Sequence, residues 1–381
     1  MKIMVLGGDG YLGWPIALHF AAHGHAVMAL DNYFKRKLVA KTKSEPLYPV
    51  APFTKRAVVF EQSSGHRIEC RTIDCTDYDA LSPTVAAFKP DVIVHCAEQP
   101  SAPYSMIDRH GAAVTLQNNL MSTFYIVWAM LESAPDAHLI KFGTMGEYGT
   151  PAVDIEEGWL DLEIRGRRDR FLFPRRPGSL YHTTKVLDTD LLWFYSRIYG
   201  LRVTDLMQGP VYGMTTDEIE RDERLSTAFH YDDIFGTVLN RFIVQAVAGV
   251  PLTVYGSGGQ TRGFLNLRDT LQCVALAADN PPDRGGFRVY NQFTEQFSVE
   301  KLADAVREAA AELGLPVTVG AVENPRRELD RHYYNPKHDA LAKLGLRPRL
   351  LTAEVLVDML RMVERYRDRI DVSKIHPRVR W

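Results

Sequence analysis

Apolar residues fall in short runs separated by stretches with helical spacing. The runs are Ile3–Leu6, Ala26–Leu30, Ile68–Ile73, Val92–His95, Leu139–Phe142 and Val203–Met207. Near-continuous runs such as Val92-Ile93-Val94 suit strands buried on both faces. The first intervening stretch places Trp14, Ile16, Ala17, Leu18, Phe20 and Ala21 at helical spacing. This alternation predicts a parallel sheet covered by helices on both sides. The polar stretch Leu38–Lys55, with prolines at 46, 49 and 52, reads as a loop. Residues 151–178 read as an insertion after the fifth strand. Within it, Asp161-Leu-Glu-Ile, Arg165-Gly-Arg-Arg and Phe171-Leu-Phe suggest a hairpin whose arginines form a solvated rim. After about residue 208 the alternation fades into Gly- and Arg-rich segments and an α+β tail. The expected layout is α/β: a Rossmann-type doubly wound parallel sheet over 1–208, with 235–275 partly returning to it. A smaller α+β substrate lobe would take 209–234 and 276–381.

Composition narrows the functional classes. The chain has 381 residues, enough for two lobes, and a formal charge of −2 with acids and bases interspersed. No basic footprint for nucleic acid appears. No run of about 18 apolar residues is present, so no membrane span is expected. The first strand begins at once, which leaves no room for a signal peptide; a cytoplasmic location is expected. Cys70, Cys75, Cys96 and Cys273 lack metal spacing and read as buried free thiols, so no metal is expected.

The chemistry starts at the first turn. Gly7-Gly8-Asp9-Gly10-Tyr11-Leu12-Gly13 joins the first strand to the first helix, and Asp31 closes the second strand. Gly8-x-Gly10-x-x-Gly13 lets backbone N–H groups approach a pyrophosphate at a helix N-terminus, and an acid at Asp31 can accept from ribose hydroxyls. The bland alternative is a glycine-rich turn that only packs helix on strand. Asp31 favours NAD over NADP, since a carboxylate repels a 2′-phosphate. Tyr181-His-Thr-Thr-Lys185 puts a phenol and an ammonium on one helix face. The lysine can then depress the phenol's pKa and make it a general base for a sugar hydroxyl. Two decoys share the spacing, Tyr33…Lys37 and Tyr333…Lys337, but neither suits a helix with the right approach. Thr144 lies just past the fifth strand, where open α/β sheets bind ligands; it could equally be a helix N-cap. His95, at a strand end, reads as a core histidine.

These motifs resemble the extended short-chain dehydrogenase/reductases, the family of nucleotide-sugar epimerases and dehydratases, and within it the sulfoquinovose synthases. The matching stretches run nearly end to end. They include Ser101-Ala-Pro-Tyr-Ser-Met-Ile-Asp-Arg109, Gly143-Thr-Met-Gly-Glu-Tyr-Gly149, Asp154-Ile-Glu-Glu-Gly158, Gly259-Gln-Thr-Arg-Gly263, Tyr290–Ser298 and His332-Tyr-Tyr-Asn335. The resemblance implies a retained NAD that takes hydride from C4 of a nucleotide-linked sugar. Tyr181 would be the base, Lys185 its electrostatic partner and Thr144 a hydroxyl ligand. The cofactor would meet Gly7, Gly10, Tyr11, Leu12, Asp31, Asn32, Arg36, Asp74, Cys75, Tyr181 and Lys185. Gln99, Met145, Glu147 and His182 would line the sugar. Gln208, Tyr212, Gln260, Arg262, Arg268 and Arg326 are candidates for the nucleotide and its phosphates, although exposed arginines are often plain ion-pair residues. Relatives dimerise through two helices, here those after Asn119 and over Tyr181–Tyr199, so a homodimer is expected.

Two departures shape the expected reaction. Sulfoquinovose synthases place an arginine after Glu-Gln, a natural partner for a sulfite anion; here Pro100 follows Glu98-Gln99. Met145-Gly146 replaces the Asp-Glu pair of 4,6-dehydratases. The machinery for oxidising C4 is intact while the anion site looks altered. The expected activity is therefore nucleotide-sugar 4-epimerisation through a transient 4-keto sugar, an isomerase. The alternative is sulfoquinovose synthesis from UDP-glucose and sulfite, or a related dehydration. A non-catalytic NAD sensor would have no use for Thr144, Tyr181 and Lys185.

Overall fold

The computed structural model describes residues 1–326 and 332–380. Seven strands form one parallel sheet: β1 (Lys2–Leu6), β2 (Ala26–Asp31), β3 (Ile68–Thr72), β4 (Val92–His95), β5 (His138–Thr144), β6 (Arg202–Gln208) and β7 (Phe287–Gln292). Their order is β7-β6-β5-β4-β1-β2-β3. Alternate side chains feed two cores, as the two-residue period of a strand demands. Ile3 and Val5 pack with helix α1 (Gly13–Ala22) and helix Leu267–Asp279 on one face. Met4 and Leu6 pack with α2 (Arg109–Ser133) and α3 (Leu180–Tyr199) on the other.

The chain runs outward from β1 to β3 and then crosses back to β4 on the other side of β1. The carboxyl ends of β1 and β4 therefore diverge at a switch point, where such sheets bind ligands. Gly7 and Cys96 meet there. A Cβ on Gly7 would lie 2.7 Å from the Cys96 carbonyl carbon, and Gly7 has φ +84°, so glycine is required at that position.

A second lobe packs helices Val238–Ala248, Val299–Glu312 and Ala353–Glu364 around its own core. Strands Leu252–Tyr255 and Val319–Val322 pair in parallel beside them.

The fold amends the expected layout in three places. Strand β7 comes from the stretch assigned to the substrate lobe, yet it pairs with β6 along its whole length. The helix expected to return to the sheet, within 235–249, instead buries Leu239, Phe242, Ile243 and Val247 in the second lobe; Leu267–Asp279 is the one that returns. The loop read at Leu38–Lys55 is shorter. A helix spans Phe34–Thr42 and another begins at Phe53, capped by Pro52, because the three prolines sit between them. The hairpin is present as Trp159–Ile164 against Arg167–Leu172. Arg165 and Gly166 turn it with φ of 52° and 78°, the pattern of a two-residue hairpin turn. Arg168 and Arg170 pair with Glu163 and Asp161 in solvent. Among the described residues no helix is long and apolar enough to cross a membrane.

Candidate active site

A cavity of about 1420 Å³ opens over the switch point and runs between the lobes. A pocket for one drug-sized ligand takes roughly 300–1,000 Å³, so this space suits a dinucleotide with a second large molecule. At one end lie Gly7, Gly10, Tyr11 and Leu12, leading into the N-terminus of α1. A Cβ on Gly13 would overlap the Gly7 carbonyl oxygen, so this turn admits only glycine. Asp31, Asn32, Arg36, Asp74 and Cys75 complete this end. The Asp31 carboxylate accepts from the Asp9 N–H at 2.9 Å and the Tyr33 N–H at 2.6 Å. Burial nevertheless holds its carboxyl up, to about 6. The glycine cradle, the helix terminus and a ribose-facing acid fit NAD, whose two nucleotides this end of the cavity can take.

Arg36 lines the wall, but its donors are already used. It forks onto Asp9, with Nη2 at 2.9 Å from Oδ1, and donates to the Val50 and Ala51 carbonyls. It thus pins the 43–52 loop across the cofactor end.

At the other end, Thr144, Tyr181 and Lys185 all line the cavity. Thr144 is both things it could have been. Its Oγ1 accepts from the Gly146 N–H at 3.1 Å and caps the short turn Met145–Glu147, while its own O–H proton remains to be donated. Ser179 caps α3, and the Tyr181 N–H donates to Ser105 Oγ at 3.1 Å, so the phenol's helix is anchored before it starts. Lys185 Nζ donates to the Phe142 carbonyl at 2.6 Å and stands 2.6 Å from Glu98 Oε2. That second contact changes the electrostatics. The expectation that the lysine lowers the phenol's pKa does not hold for the protein groups alone. Burial, then Glu98 and Glu147, push Tyr181 upward.

Behind the phenol lies a dry charge network. Lys141 on β5 sits 3.6 Å from Glu147 Oε1 and 3.5 Å from Asp205 Oδ2, all fully buried. Arg175 Nε approaches Glu147 Oε2 at 3.3 Å. Glu147 therefore faces inward, away from the cavity, and the sugar-site role expected for it is corrected. The one-turn helix that Thr144 caps folds its carboxylate back to the Thr144 N–H.

Three further expectations are also corrected. Gln99 is buried and spends its amide on Ser101 and Thr115. Tyr212 donates to Glu295 at 2.8 Å or to the Arg349 carbonyl at 3.0 Å, outside the cavity. Arg268 pairs with Asp217 and Glu220 in a surface cluster. Met145, His182, Gln208, Gln260, Arg262 and Arg326 do line the cavity. Gln208 Nε2 and Gln260 Oε1 are buried there without a hydrogen-bond partner among the described residues, as befits groups that await a polar ligand.

His182 occupies a telling place. A Cβ on Gly146 would overlap its Nε2, so the imidazole fills the space where a side chain at 146 would extend. Burial, then Arg326 and Arg262, lower its pKa to about 3, which keeps it neutral. Glu98 and Arg241 are cavity residues that the sequence reading passed over. Glu98 stands just past β4, the same strand-end position that singled out Thr144. Arg241 lies over the Tyr255 ring at 4.2 Å.

A Rossmann sheet with this cradle and this Thr, Tyr and Lys places the chain in a defined class: it belongs to the NAD dependent epimerase/dehydratase family, whose pattern matches residues 3–291. Within that class it is similar to the UDP-sulfoquinovose synthase of Sulfolobus acidocaldarius, at 46% identity over 384 residues covering 100% of this chain and 98% of that protein. It is 47% identical over 380 residues to the chloroplastic UDP-sulfoquinovose synthase of Spinacia oleracea, covering 100% of this chain and 79% of the relative. A Bacillus cereus UDP-glucuronic acid 4-epimerase, solved with UDP-glucuronic acid and NAD, shares the fold with a TM-score of 0.71 over 97% of this chain and 99% of its own. Its identity is only 20%. These figures overturn the expected 4-epimerase activity. The epimerase likeness is one of fold, whereas the synthase likeness runs through the whole chain. Pro100 removes one possible cation but not the means to hold an anion, since Arg176, Arg262 and Arg326 also line this cavity.

Proposed function

We propose that this enzyme makes a UDP-linked sulfosugar, UDP-sulfoquinovose, from UDP-glucose and sulfite with a retained NAD. The observation that carries the reading is full-length identity of 46–47% to two synthases of that name. NAD, when bound, would supply a hydride acceptor and donor. The chain's own residues do the rest. Tyr181 takes the O4 proton as the C4 hydrogen leaves with its electron pair, and the Thr144 O–H steadies the oxygen. The resulting C4 carbonyl acidifies the C5 proton. Its loss expels the C6 hydroxyl as water and leaves a C5–C6 double bond. His182, neutral and aimed from the place of a missing side chain at 146, hydrogen-bonds the C6 hydroxyl. Sulfite adds through sulfur at C6, C5 regains a proton, and hydride returns to C4 while Tyr181 gives back its proton.

Gln208, Gln260, Arg241, Arg262 and Arg326 suit the nucleotide, its phosphates and the sulfonate, as forked cations and as amides each with one unpartnered atom. Four free thiols favour a reducing compartment such as the cytoplasm, and exposed apolar residues on α2 and α3 favour a homodimer. Incubation of the purified enzyme with UDP-glucose, with and without sulfite, tests the reading. Mass spectrometry should find a sulfite-dependent product in which sulfonate replaces a hydroxyl. An isobaric product alone would refute it.

A further inference from the structure

Glu98 is a buried carboxylate that the steps above do not use. It follows β4, lines the cavity and approaches Lys185 Nζ at 2.6 Å, with 3% and 5% of the two side chains exposed. The same ammonium donates to the Phe142 carbonyl at 2.6 Å. Two of its three protons are thus committed, and one is left for a hydroxyl in the cavity. The loop that carries Glu98 is rigidly tied. The Gln99 N–H donates to Asn119 Oδ1 at 2.8 Å, and Asn119 Nδ2 returns to the Gln99 carbonyl at 3.2 Å and to Thr184 Oγ1 at 3.1 Å, one residue before Lys185.

Resting on the reading above, we propose that Glu98 is a positioning residue. It clamps Lys185 against the Phe142 carbonyl and offsets the positive charge that would otherwise draw the proton off Tyr181 before substrate binds.

The surrounding groups leave this role to Glu98. From β4, His95 is held neutral by burial, which lowers it to about 4, and burial pushes the Cys96 thiol up. From β5 and the turn after it, Lys141 and Glu147 answer each other, with Asp205 of β6 shared by Lys141. Asp188 lies on Lys185's own helix, and burial together with Glu98 drives its carboxyl well up, toward the neutral form. Glu98 is the carboxylate with the largest effect on both Lys185 and Tyr181.

Glu98→Gln keeps the shape and removes the charge. In the NAD-bound enzyme, reduction of the cofactor by UDP-glucose needs no sulfite and can be followed by absorbance. Its ascending pH limb should move down by about one unit, with NAD content unchanged. In protein stripped of NAD, the phenolate absorbance step that Tyr181→Phe removes should move the same way. Glu98→Asp keeps the charge but retracts it from the ammonium, so the limb should stay while the rate falls on the order of 100-fold. An unmoved limb in Glu98→Gln, or a wild-type rate in Glu98→Asp, would overturn the proposal. Glu98→Asp decides alone if Glu98→Gln does not accumulate folded. If wild type itself does not reduce its cofactor with UDP-glucose, the proposed function fails, and the phenol titration still decides the role of Glu98.

Discussion

At the residue scale, function rests on a phenol whose protein surroundings oppose ionisation. Burial, and after it chiefly Glu98 and Glu147, hold the Tyr181 proton in place, so ionisation belongs to the loaded cavity. Tyr181→Phe should lower turnover by roughly 10²–10⁴-fold and leave NAD content intact. Co-purified cofactor and single-turnover rates check both halves. Asp31 carries a pH prediction. Burial raises its carboxyl from 3.8 to about 6, and ribose hydroxyls need the ionised form, so NAD affinity should fall as pH drops below about 6. The same shift has a stability consequence of opposite sense. The folded, NAD-free state binds this proton more tightly than the unfolded chain, so its stability rises as pH falls from about 6 toward 3.8. Wild type should therefore gain on Asp31→Asn across that window. Parallel melting curves would contradict this. That Thr144, Tyr181 and Lys185 face one cavity was legible because helical spacing and strand-end position are written in sequence. Glu147 was misread because a single turn of 3-10 helix swings it inward, and no spacing rule reports that.

At the element scale, β5 and β6 are held in register by a buried cation as well as by their ladder. Lys141 reaches Asp205 across the pair and Glu147 in the following turn. Lys141→Met would leave the buried Asp205 carboxylate without its cation and Glu147 with Arg175 alone. It should cost about 3–5 kcal/mol of unfolding free energy, measured by denaturant titration. A loss below about 1 kcal/mol would mean the network is already neutralised by protonation. The central strands were legible because strands buried on both faces read as near-continuous apolar runs, and β3, a mixed edge strand, was found from its place between helical stretches. Strand β7 was missed because it is an edge strand of mixed character, Phe-Arg-Val-Tyr-Asn-Gln, with no partner beyond it. The second lobe's helix Val238–Ala248 is apolar on a broad face, and periodicity gives the burial of such a face but not which core receives it.

At the scale of the whole molecule, α3 presents Leu187, Phe194, Ile198 and Tyr199 to solvent, and α2 adds Leu116. Four exposed apolar residues on one helix suit a second copy. Light scattering should report a dimer at micromolar concentration, and Phe194→Glu with Ile198→Glu should give a folded monomer. A monomeric wild type would contradict this arrangement. The cavity between the lobes joins the cofactor end to one lined by Arg176, Arg262 and Arg326. Arg262 and Arg326 were legible as phosphate candidates, whereas Arg176, inside the stretch read as an insertion with a solvated arginine rim, was missed. With these three arginines on this cavity, a proline at 100 does not remove the means to hold an anion.

On the proposed function, C4 is oxidised and restored on one bound NAD while sulfite is built in at C6. UDP-glucose carrying deuterium at C4, turned over with sulfite and read by mass spectrometry and NMR, tests both halves together. A sulfonated product that keeps deuterium at C4 is expected. An unsulfonated product, or loss of that deuterium to solvent, would contradict it.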